Sequence, residues 1–171
     1  SLRSYFHICS VLPIYHYLIC MKILTASQIK ALDAYTIEKE VISSINLMER
    51  ASVAFTHWYN RQEFVQDNVK RPVYIFCGLG NNGGDGLAIT RLLLGNQYTV
   101  HPFVVRYAEQ SSDDFQVNYH RLEKKCAIPE IVEEQDLPTI PAEAVVIDAI
   151  FGSGLNRPLD GVTSVLAKHI N

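Results

Sequence analysis

Five glycines fall within residues 78–86, a segment that also holds two asparagines and one aspartate. Its first, third and sixth positions match the G-x-G-x-x-G fingerprint of dinucleotide-binding loops. Such glycines let the backbone approach a ligand closely, and amides at a helix N-terminus attract anions. A tight turn that binds nothing would use the same glycines. Asn81, Asn82 and Asp85 favour binding, because amides and carboxylates pack poorly but bind ligands and cations well.

A second candidate loop follows Asp148, which ends an apolar stretch of the chain. A carboxylate is costly to bury there without a partner. Two interpretations stay open: Asp148 caps a neighbouring turn, or it projects into the same crevice as Asn82. In the second case it would hold a cation or transfer a proton. Gly152, Ser153 and Gly154 repeat the open backbone of the first loop, so they could wrap a phosphate or a ribose.

Strands and helices alternate along the chain from residue 73 onward. Short runs rich in β-forming residues predict strands, and helical spacing of apolar residues predicts the segments between them. The predicted strands are Val73–Cys77, 99–105, 131–132 and 144–149, and the predicted helices are 25–35, Ser44–Tyr59, 87–94, 111–125 and 159–170. This order predicts a Rossmann-like three-layer α/β/α sandwich with a mostly parallel sheet. Ligands of such sheets bind at the carboxyl ends of the strands, where both loops lie.

The sequence also predicts the surroundings of several of these elements. Pro102 predicts an irregular or near-edge position in the second strand, since proline cannot donate to a ladder. The strand Val73–Cys77 reads as buried on both faces, and the strand at 144–149 reads as buried. The apolar residues of the helix Ser44–Tyr59 predict the stripe that packs on the core: Leu47, Met48, Ala51, Ala54, Phe55 and Trp58.

Arg106 stands where an ordinary dinucleotide-dependent oxidoreductase has an acid. That acid binds the ribose hydroxyls at the end of the second strand. Here the strand ends in Val105 and Arg106, and the first acid after it is Glu109. Arg106 either faces a phosphate or is a solvated surface residue, and the sequence leaves both open.

Composition excludes several classes of protein. The chain has 171 residues, 48% hydrophobic and 19% charged, which fits one globular domain rather than a disordered chain. The 15 basic and 18 acidic residues give a net charge of −3, which argues against nucleic-acid binding through a broad basic surface. Four cysteines without a C-x-x-C pair argue against a zinc finger or a disulfide-stapled miniprotein.

Residues 1–20 differ from the rest of the chain. They hold one charge, Arg3, and the first methionine is Met21. Polar residues and Pro13 interrupt the apolar run, so we expect upstream sequence rather than a membrane anchor or signal peptide. Without this doubtful leader the charge is 14 − 18 = −4, and Cys77 and Cys126 are the remaining cysteines. Two lone cysteines predict buried thiols in a reducing, cytoplasmic setting.

Three stretches of residues 21–171 together resemble the YjeF N-terminal domain family, the NAD(P)HX epimerases. They are GNNGGDG at 80–86, DAIFGSGLNRPL at 148–159 and LMERA at 47–51. The resemblance implies an isomerase of nicotinamide nucleotide repair. Such an enzyme interconverts the R and S epimers at C6 of hydrated NADH and NADPH (NADHX and NADPHX). One epimer is then consumed by a companion dehydratase, to which the domain is fused in many bacteria.

The resemblance also implies roles for residues. Asn82 and Asp148 would bind a potassium ion, and Asp148 is the first choice for the acid/base group, although a cation-bound carboxylate is a poor free base. Arg106 would contact the substrate after the second strand. Other substrate-binding residues implied by the resemblance are Asn81, Asn82, Gly83, Gly84, Asp85, Gly152, Ser153, Gly154, Leu155, Asn156, Arg157 and Pro158.

The family pattern continues with a further strand carrying D-[IV]-P-S-G, which supplies more substrate and potassium contacts. This chain stops at Asn171, so we expect an epimerase domain at 21–171 that is truncated at its C-terminus. Two other classes of function stay open: a nicotinamide-dependent oxidoreductase, and a non-catalytic module that binds a nucleotide or a protein. A homodimer also stays open, and we expect no nucleic-acid or membrane partner.

Overall fold

The computed structural model describes residues 24–62, 65, 71–152, 155 and 158–171. The predicted leader at 1–20 therefore lies outside the described residues, as do Ser153, Gly154, Asn156 and Arg157. Contacts divide the chain into residues 1–35 and 36–171. Helix α1, Ala26–Glu40, crosses that boundary, and none of its residues is buried. No helix of the described residues is long and apolar enough to cross a bilayer.

The start of α1 is a capping box formed by Thr25 and Gln28. Thr25 Oγ1 accepts a hydrogen bond from the Gln28 amide at 3.3 Å, and Gln28 Oε1 accepts one from the Thr25 amide at 2.9 Å. Each side chain satisfies an amide that the helix leaves unpaired, so the first turn is fixed by local interactions alone.

The described part of residues 36–171 forms an α/β fold with an all-parallel, four-stranded sheet in the order β3-β2-β1-β4. The strands are β1 (Val73–Cys77), β2 (Val100–Val105), β3 (Glu130–Ile131) and β4 (Val145–Ala149). The helices are α2 (Ser44–Tyr59), α3 (Asn81–Gly95), α4 (Asp113–Leu122) and α5 (Gly161–Ile170), with a 3₁₀ turn at Glu134–Asp136. The predicted Rossmann-like sandwich is confirmed.

The central strand β1 separates two apolar clusters, because successive side chains of a strand point to opposite faces. Val73, Ile75 and Cys77 pack with residues of α2, α3 and α4 on one face. Phe76 packs with Val105 of β2, Ile131 of β3 and Leu166 of α5 on the other. The three layers of the sandwich are therefore helices, sheet, and α5 with the 3₁₀ turn.

The strand order reverses beside β1. From β1 the chain moves outward to β2 and β3, then returns to place β4 on the opposite side of β1. The connection after β1 therefore runs to one face of the sheet, and the one after β4 runs to the other. A crevice opens between such diverging connections, at the carboxyl ends of the two strands. This is where residues 78–86 and the segment after Asp148 lie.

Strand β4 differs from its prediction. Its residues Val145, Val146 and Ile147 are half-buried rather than buried. The physical reason is its place in the sheet: within the described residues β4 pairs with β1 and lies at the edge. Pro102 is near an edge, as predicted, because β3 pairs with β2 only at Val104 and Val105.

The predicted stripe of α2 is wrong in part. Trp58 is 54% exposed, and Ala51 and Ala54 are exposed as well. Of the predicted residues only Met48 is fully buried, while Leu47 and Phe55 are half-buried. The buried stripe is Met48, Ser52, Thr56 and Tyr59. Small polar residues suit this stripe because α2 packs closely on α3. The buried Thr56 hydroxyl donates to the Ser52 carbonyl of its own helix at 2.8 Å, so its donor is satisfied locally.

Candidate functional site

Helix α3 begins at Asn81, six residues before its predicted start. Residues 81–86 of the predicted loop are therefore the first turn and a half of a helix, with Gly80 as its N-cap residue. The Gly84 amide makes the first helical hydrogen bond, to the Gly80 carbonyl at 3.0 Å. Amides of the first turn have no partner within the helix, and they point toward the carboxyl edge of the sheet. This end of α3 favours an anion.

Three backbone segments meet where β1 and β4 end. The Gly78 amide donates to the Ala149 carbonyl at 3.0 Å and so extends the β1–β4 ladder by one bond. A β-carbon at Gly78 would lie 1.9 Å from the Ile150 carbonyl oxygen, and one at Gly83 would lie 1.7 Å from the Gly78 carbonyl oxygen. No side chain fits at either position, so these two glycines hold the start of α3 against both strands.

Gly84 and Gly86 allow α3 to pack on its neighbours. A β-carbon at Gly84 would lie 2.9 Å from Met48 Sδ, and one at Gly86 would lie 2.8 Å from Cys77 Sγ. The Cys77 thiol is free and buried, and burial raises its pKa, so it is a packing group rather than a nucleophile. Cys126, predicted to be buried, is half-buried.

Gly80 differs from these glycines. Nothing lies within 4 Å of a β-carbon built there, and its φ of −91° suits any residue. The fold itself therefore does not require glycine at this position. A bare backbone beside open space, at the N-terminus of α3, is suited to the close approach of a ligand.

The two candidate loops contact each other through Asn82 and Gly152. A β-carbon at Gly152 would lie 3.2 Å from Asn82 Cβ and 3.6 Å from Asn82 Oδ1. The Asn82 side chain therefore lies against the backbone that follows β4. Within the same turn and a half of α3, Asn81 is exposed and Asp85 is half-buried.

Asp148 is exposed, so its carboxylate does not bear the cost of burial at the end of an apolar strand. Asp148 lies on the edge strand β4, in register with Phe76 of β1. The edge position gives its carboxylate access to water. Its Oδ1 accepts a hydrogen bond from the Ile150 amide at 2.9 Å. The carboxylate thus caps the turn that follows β4, which fixes its position without excluding solvent.

Arg106 forms an ion pair that its sequence context does not reveal. Its Nη2 donates to Glu130 Oε1 at 2.5 Å, and its backbone amide donates to the Ile131 carbonyl at 2.9 Å. The hydrogen bond lowers the pKa of Glu130 and raises that of Arg106. Glu130 belongs to β3, and the parallel register of β2 and β3 brings it beside a residue 24 positions earlier in the chain.

Tyr107 and Phe151 are two further residues at this edge that sequence reasoning missed. Their rings lie 4.8 Å apart at 41°, and the Leu79 amide donates to the Tyr107 hydroxyl at 3.2 Å. Tyr107 follows β2 and Phe151 follows β4, so the pair connects both sides of the β1 end. No periodicity could have marked them, because each follows a strand as a single aromatic residue.

Some predicted site residues lie apart from this geometry or outside the described residues. Leu155 is 44% exposed and Pro158 is exposed, while Ser153, Gly154, Asn156 and Arg157 are not described. Across the described ranges, no three His, Cys, Asp or Glu side chains converge on one point. A cation at this edge would therefore need amide and carbonyl oxygens among its ligands.

Comparison with known proteins gives one family and several relatives. The family model described as YjeF-related protein N-terminus matches residues 44–171. The chain is similar to an NAD(P)H-hydrate epimerase of Roseobacter litoralis, with 34% identity over 167 residues that cover 87% of this chain and 72% of the relative. For an NAD(P)H-hydrate epimerase of Anaerococcus prevotii the identity is 35%, over 88% of this chain and 69% of the relative.

Two more matches concern a longer protein and a solved structure. A bifunctional NAD(P)H-hydrate repair enzyme Nnr of Thermofilum pendens is 34% identical over 88% of this chain, which spans 29% of that relative. The crystal structure of the yeast protein ynu0 has a TM-score of 0.73 and 22% identity, covering 88% of this chain and 65% of that one. This structure supports the fold alone.

The close approach of the backbones predicts that two serine substitutions differ in their effect on stability. Gly83→Ser forces a side chain into the Gly78 carbonyl. We therefore expect the free energy of unfolding to fall by about 3 kcal/mol, the upper end of overpacking costs. Gly80→Ser has room for its side chain and places a favoured residue at the N-cap, so its stability should stay within about 0.5 kcal/mol of wild type or rise. Urea titrations of the two variants measure the difference, and equal midpoints would contradict this account of the junction.

Proposed function

The chain belongs to the family of YjeF-related protein N-termini, and on that premise we propose that it is an NAD(P)H-hydrate epimerase. It interconverts the R and S forms of NADHX and NADPHX, an isomerase reaction. Relatives with that name share about a third of their residues with it over most of the chain.

One structural observation carries the proposal. The glycine-rich start of α3 and the segment after β4 are held together at the point where the strand order reverses. Such a point is where doubly wound sheets bind nucleotides. Unpaired amides at the start of α3 suit the pyrophosphate, and the open side of Gly80 leaves room for it.

The reaction needs a proton donor and acceptor beside C6 of the reduced ring. A proton given to the C6 hydroxyl lets water leave, while the lone pair of the ring nitrogen forms a double bond to C6. Water then adds to either face of this planar cation and returns a proton to the donor. Atoms and charge balance, and no redox partner is required.

Asp148 is the residue we assign to this proton transfer. It lies at the carboxyl edge of β4, and the Ile150 amide fixes one of its oxygens at 2.9 Å. Its exposure lets it exchange protons with water between turnovers. The turn that holds it is continuous with Gly152, against which Asn82 lies.

We also propose a potassium ion at this edge, held by Asn82 and Asp148. An amide oxygen and a carboxylate oxygen are hard donors, which suit a hard cation completed by carbonyl oxygens. When bound, the ion would offset negative charge of the substrate. Asn82 is placed for this role by its contact with Gly152, which brings its amide to the segment after β4.

The product of the reaction implies a partner. A dehydratase that accepts one epimer would consume it, and the bifunctional relatives named NAD(P)H-hydrate repair enzyme join two activities in one longer chain. We propose that this domain works with such a dehydratase in the cytoplasm. The free thiols of Cys77 and Cys126 are consistent with a reducing compartment.

The proposal predicts that Asp148→Asn slows epimerisation of NADHX by about 100-fold or more, because general acid/base catalysis contributes on that scale. Chromatographic separation of the R and S forms over time measures the rate against the spontaneous reaction. Asp160→Asn is the matched control, since Asp160 is also exposed and makes no side-chain cap bond at the start of α5.

Three outcomes of this experiment would change the assignment. Full activity of Asp148→Asn would remove Asp148 from the mechanism. No acceleration by the wild-type full-length protein would reject the epimerase. Consumption of reduced nicotinamide with some substrate would favour an oxidoreductase instead.

The potassium proposal predicts that the epimerisation rate falls when KCl is replaced by tetramethylammonium chloride at constant ionic strength. Asn82→Ala should weaken that dependence, because it removes one of the oxygen ligands. Asn96→Ala, at the opposite end of α3, is the control and should respond to potassium like wild type. A wild-type rate that does not depend on the cation would contradict the proposal.

A further inference from the structure

The ion pair between Arg106 and Glu130 lies one strand away from the crevice, at the carboxyl end of β2. In doubly wound sheets that bind dinucleotides, the residue at this position recognises the adenosine ribose. An acid there accepts a hydrogen bond from the 2′-hydroxyl, and an arginine there accommodates a 2′-phosphate. The sequence places only Arg106 at this point, while the fold brings an acid to it from β3.

We propose that Arg106 and Glu130 together decide between the two hydrated nucleotides, with Glu130 selecting NADHX and Arg106 admitting NADPHX. The inference rests on the proposed epimerase function and names how the same site distinguishes its substrates. It assigns a role to Glu130, which the sequence pattern did not mark.

Both side chains are accessible to a ligand. Their exposed fractions are 32% for Arg106 and 39% for Glu130. An ion pair this exposed contributes little to stability, so a ligand can rearrange it at low cost. The guanidinium has five N–H donors, and one of them is directed at Glu130 Oε1. It therefore keeps donors for a phosphate while it holds Glu130 in place.

The two charges act in opposite directions on the ribose. Glu130 stays ionised because its hydrogen bond with Arg106 lowers its pKa. A carboxylate accepts a hydrogen bond from the 2′-hydroxyl of NADHX but repels the 2′-phosphate of NADPHX. Arg106 binds that phosphate with charge-assisted hydrogen bonds. The pair therefore admits both substrates, with a preference for NADHX that depends on Glu130.

A purely structural role is the competing explanation. Strand β3 has only two residues, and the ion pair ties it to β2 beside the backbone bond from Arg106 to Ile131. Such a role predicts that loss of Glu130 lowers stability and affects both substrates alike. Specificity predicts that the two substrates respond in opposite directions.

The test compares kcat/KM for NADPHX with kcat/KM for NADHX in the full-length protein. Glu130→Gln should raise this ratio about tenfold, and Arg106→Gln should lower it about tenfold, since each variant loses one charge-assisted interaction. Glu40→Gln is the matched control: Glu40 Oε2 pairs with Arg50 Nη1 at 2.5 Å, and both side chains are exposed. It should leave the ratio as in wild type.

Binding of adenosine 2′,5′-bisphosphate and of 5′-AMP, measured by calorimetry, repeats the comparison without turnover. Glu130→Gln should shift the ratio of the two affinities toward the bisphosphate. If the wild-type protein epimerises neither hydrate but the affinity ratios still change, the epimerase proposal is rejected. The role of Arg106 and Glu130 as a nucleotide selector then stands. If wild type is an epimerase and neither ratio moves in either variant, the selector is overturned, and a lowered urea midpoint would identify the pair as structural.

Discussion

The contact between the backbones of Gly78, Gly83 and Ile150 is the constraint on which the rest of the site depends. Carbonyl oxygens occupy the space where side chains of residues 78 and 83 would lie. Helix α3 can begin at Asn81 only because these positions lack a β-carbon, and its first turn then lies at the ends of both β1 and β4. Without this approach the start of α3 would be displaced from the turn capped by Asp148, and the two loops would not form one crevice.

The glycines of this segment therefore serve different purposes. Gly78 and Gly83 hold the strand ends to the helix, while Gly84 and Gly86 let α3 pack on Met48 and Cys77. Gly80 has open space beside it, so packing within the fold does not require glycine there. Close packing accounts for the other four glycines, while the open side of Gly80 leaves room for the proposed ligand.

Much of the fold follows from local pattern. The alternation of apolar strands and helices is sufficient to predict the layers and the position of the two loops. The sequence pattern predicts too late a start for α3, because a run of glycines is typical of a loop. In the structure, close packing against neighbouring segments accommodates these glycines within the helix. The stripe of α2 was misread because Ser52 and Thr56, not Trp58, suit a close helix contact.

The parts of the site that escaped prediction depend on pairing between distant segments. Glu130 reaches Arg106 through the register of β2 and β3, and Tyr107 meets Phe151 across the end of β1. Asp148 is accessible because β4 lies at an edge of the described sheet. The apolar sequence of β4 predicts a buried strand instead. Residue types and spacing predict a nucleotide-binding loop, whereas the Arg106–Glu130 pair, to which we assign the choice between nucleotides, depends on tertiary pairing.

We propose that the hydrated nucleotide binds where α3 begins, between the ends of β1 and β4. The most direct measurement is a ¹H–¹⁵N correlation spectrum of the protein during titration with NADHX. The amides of Gly80, Gly83 and Gly84 should shift, while that of Gly95, at the far end of the same helix, should not. Shifts at Gly95 with none at the start of α3, under conditions where the hydrate is bound, would contradict the account.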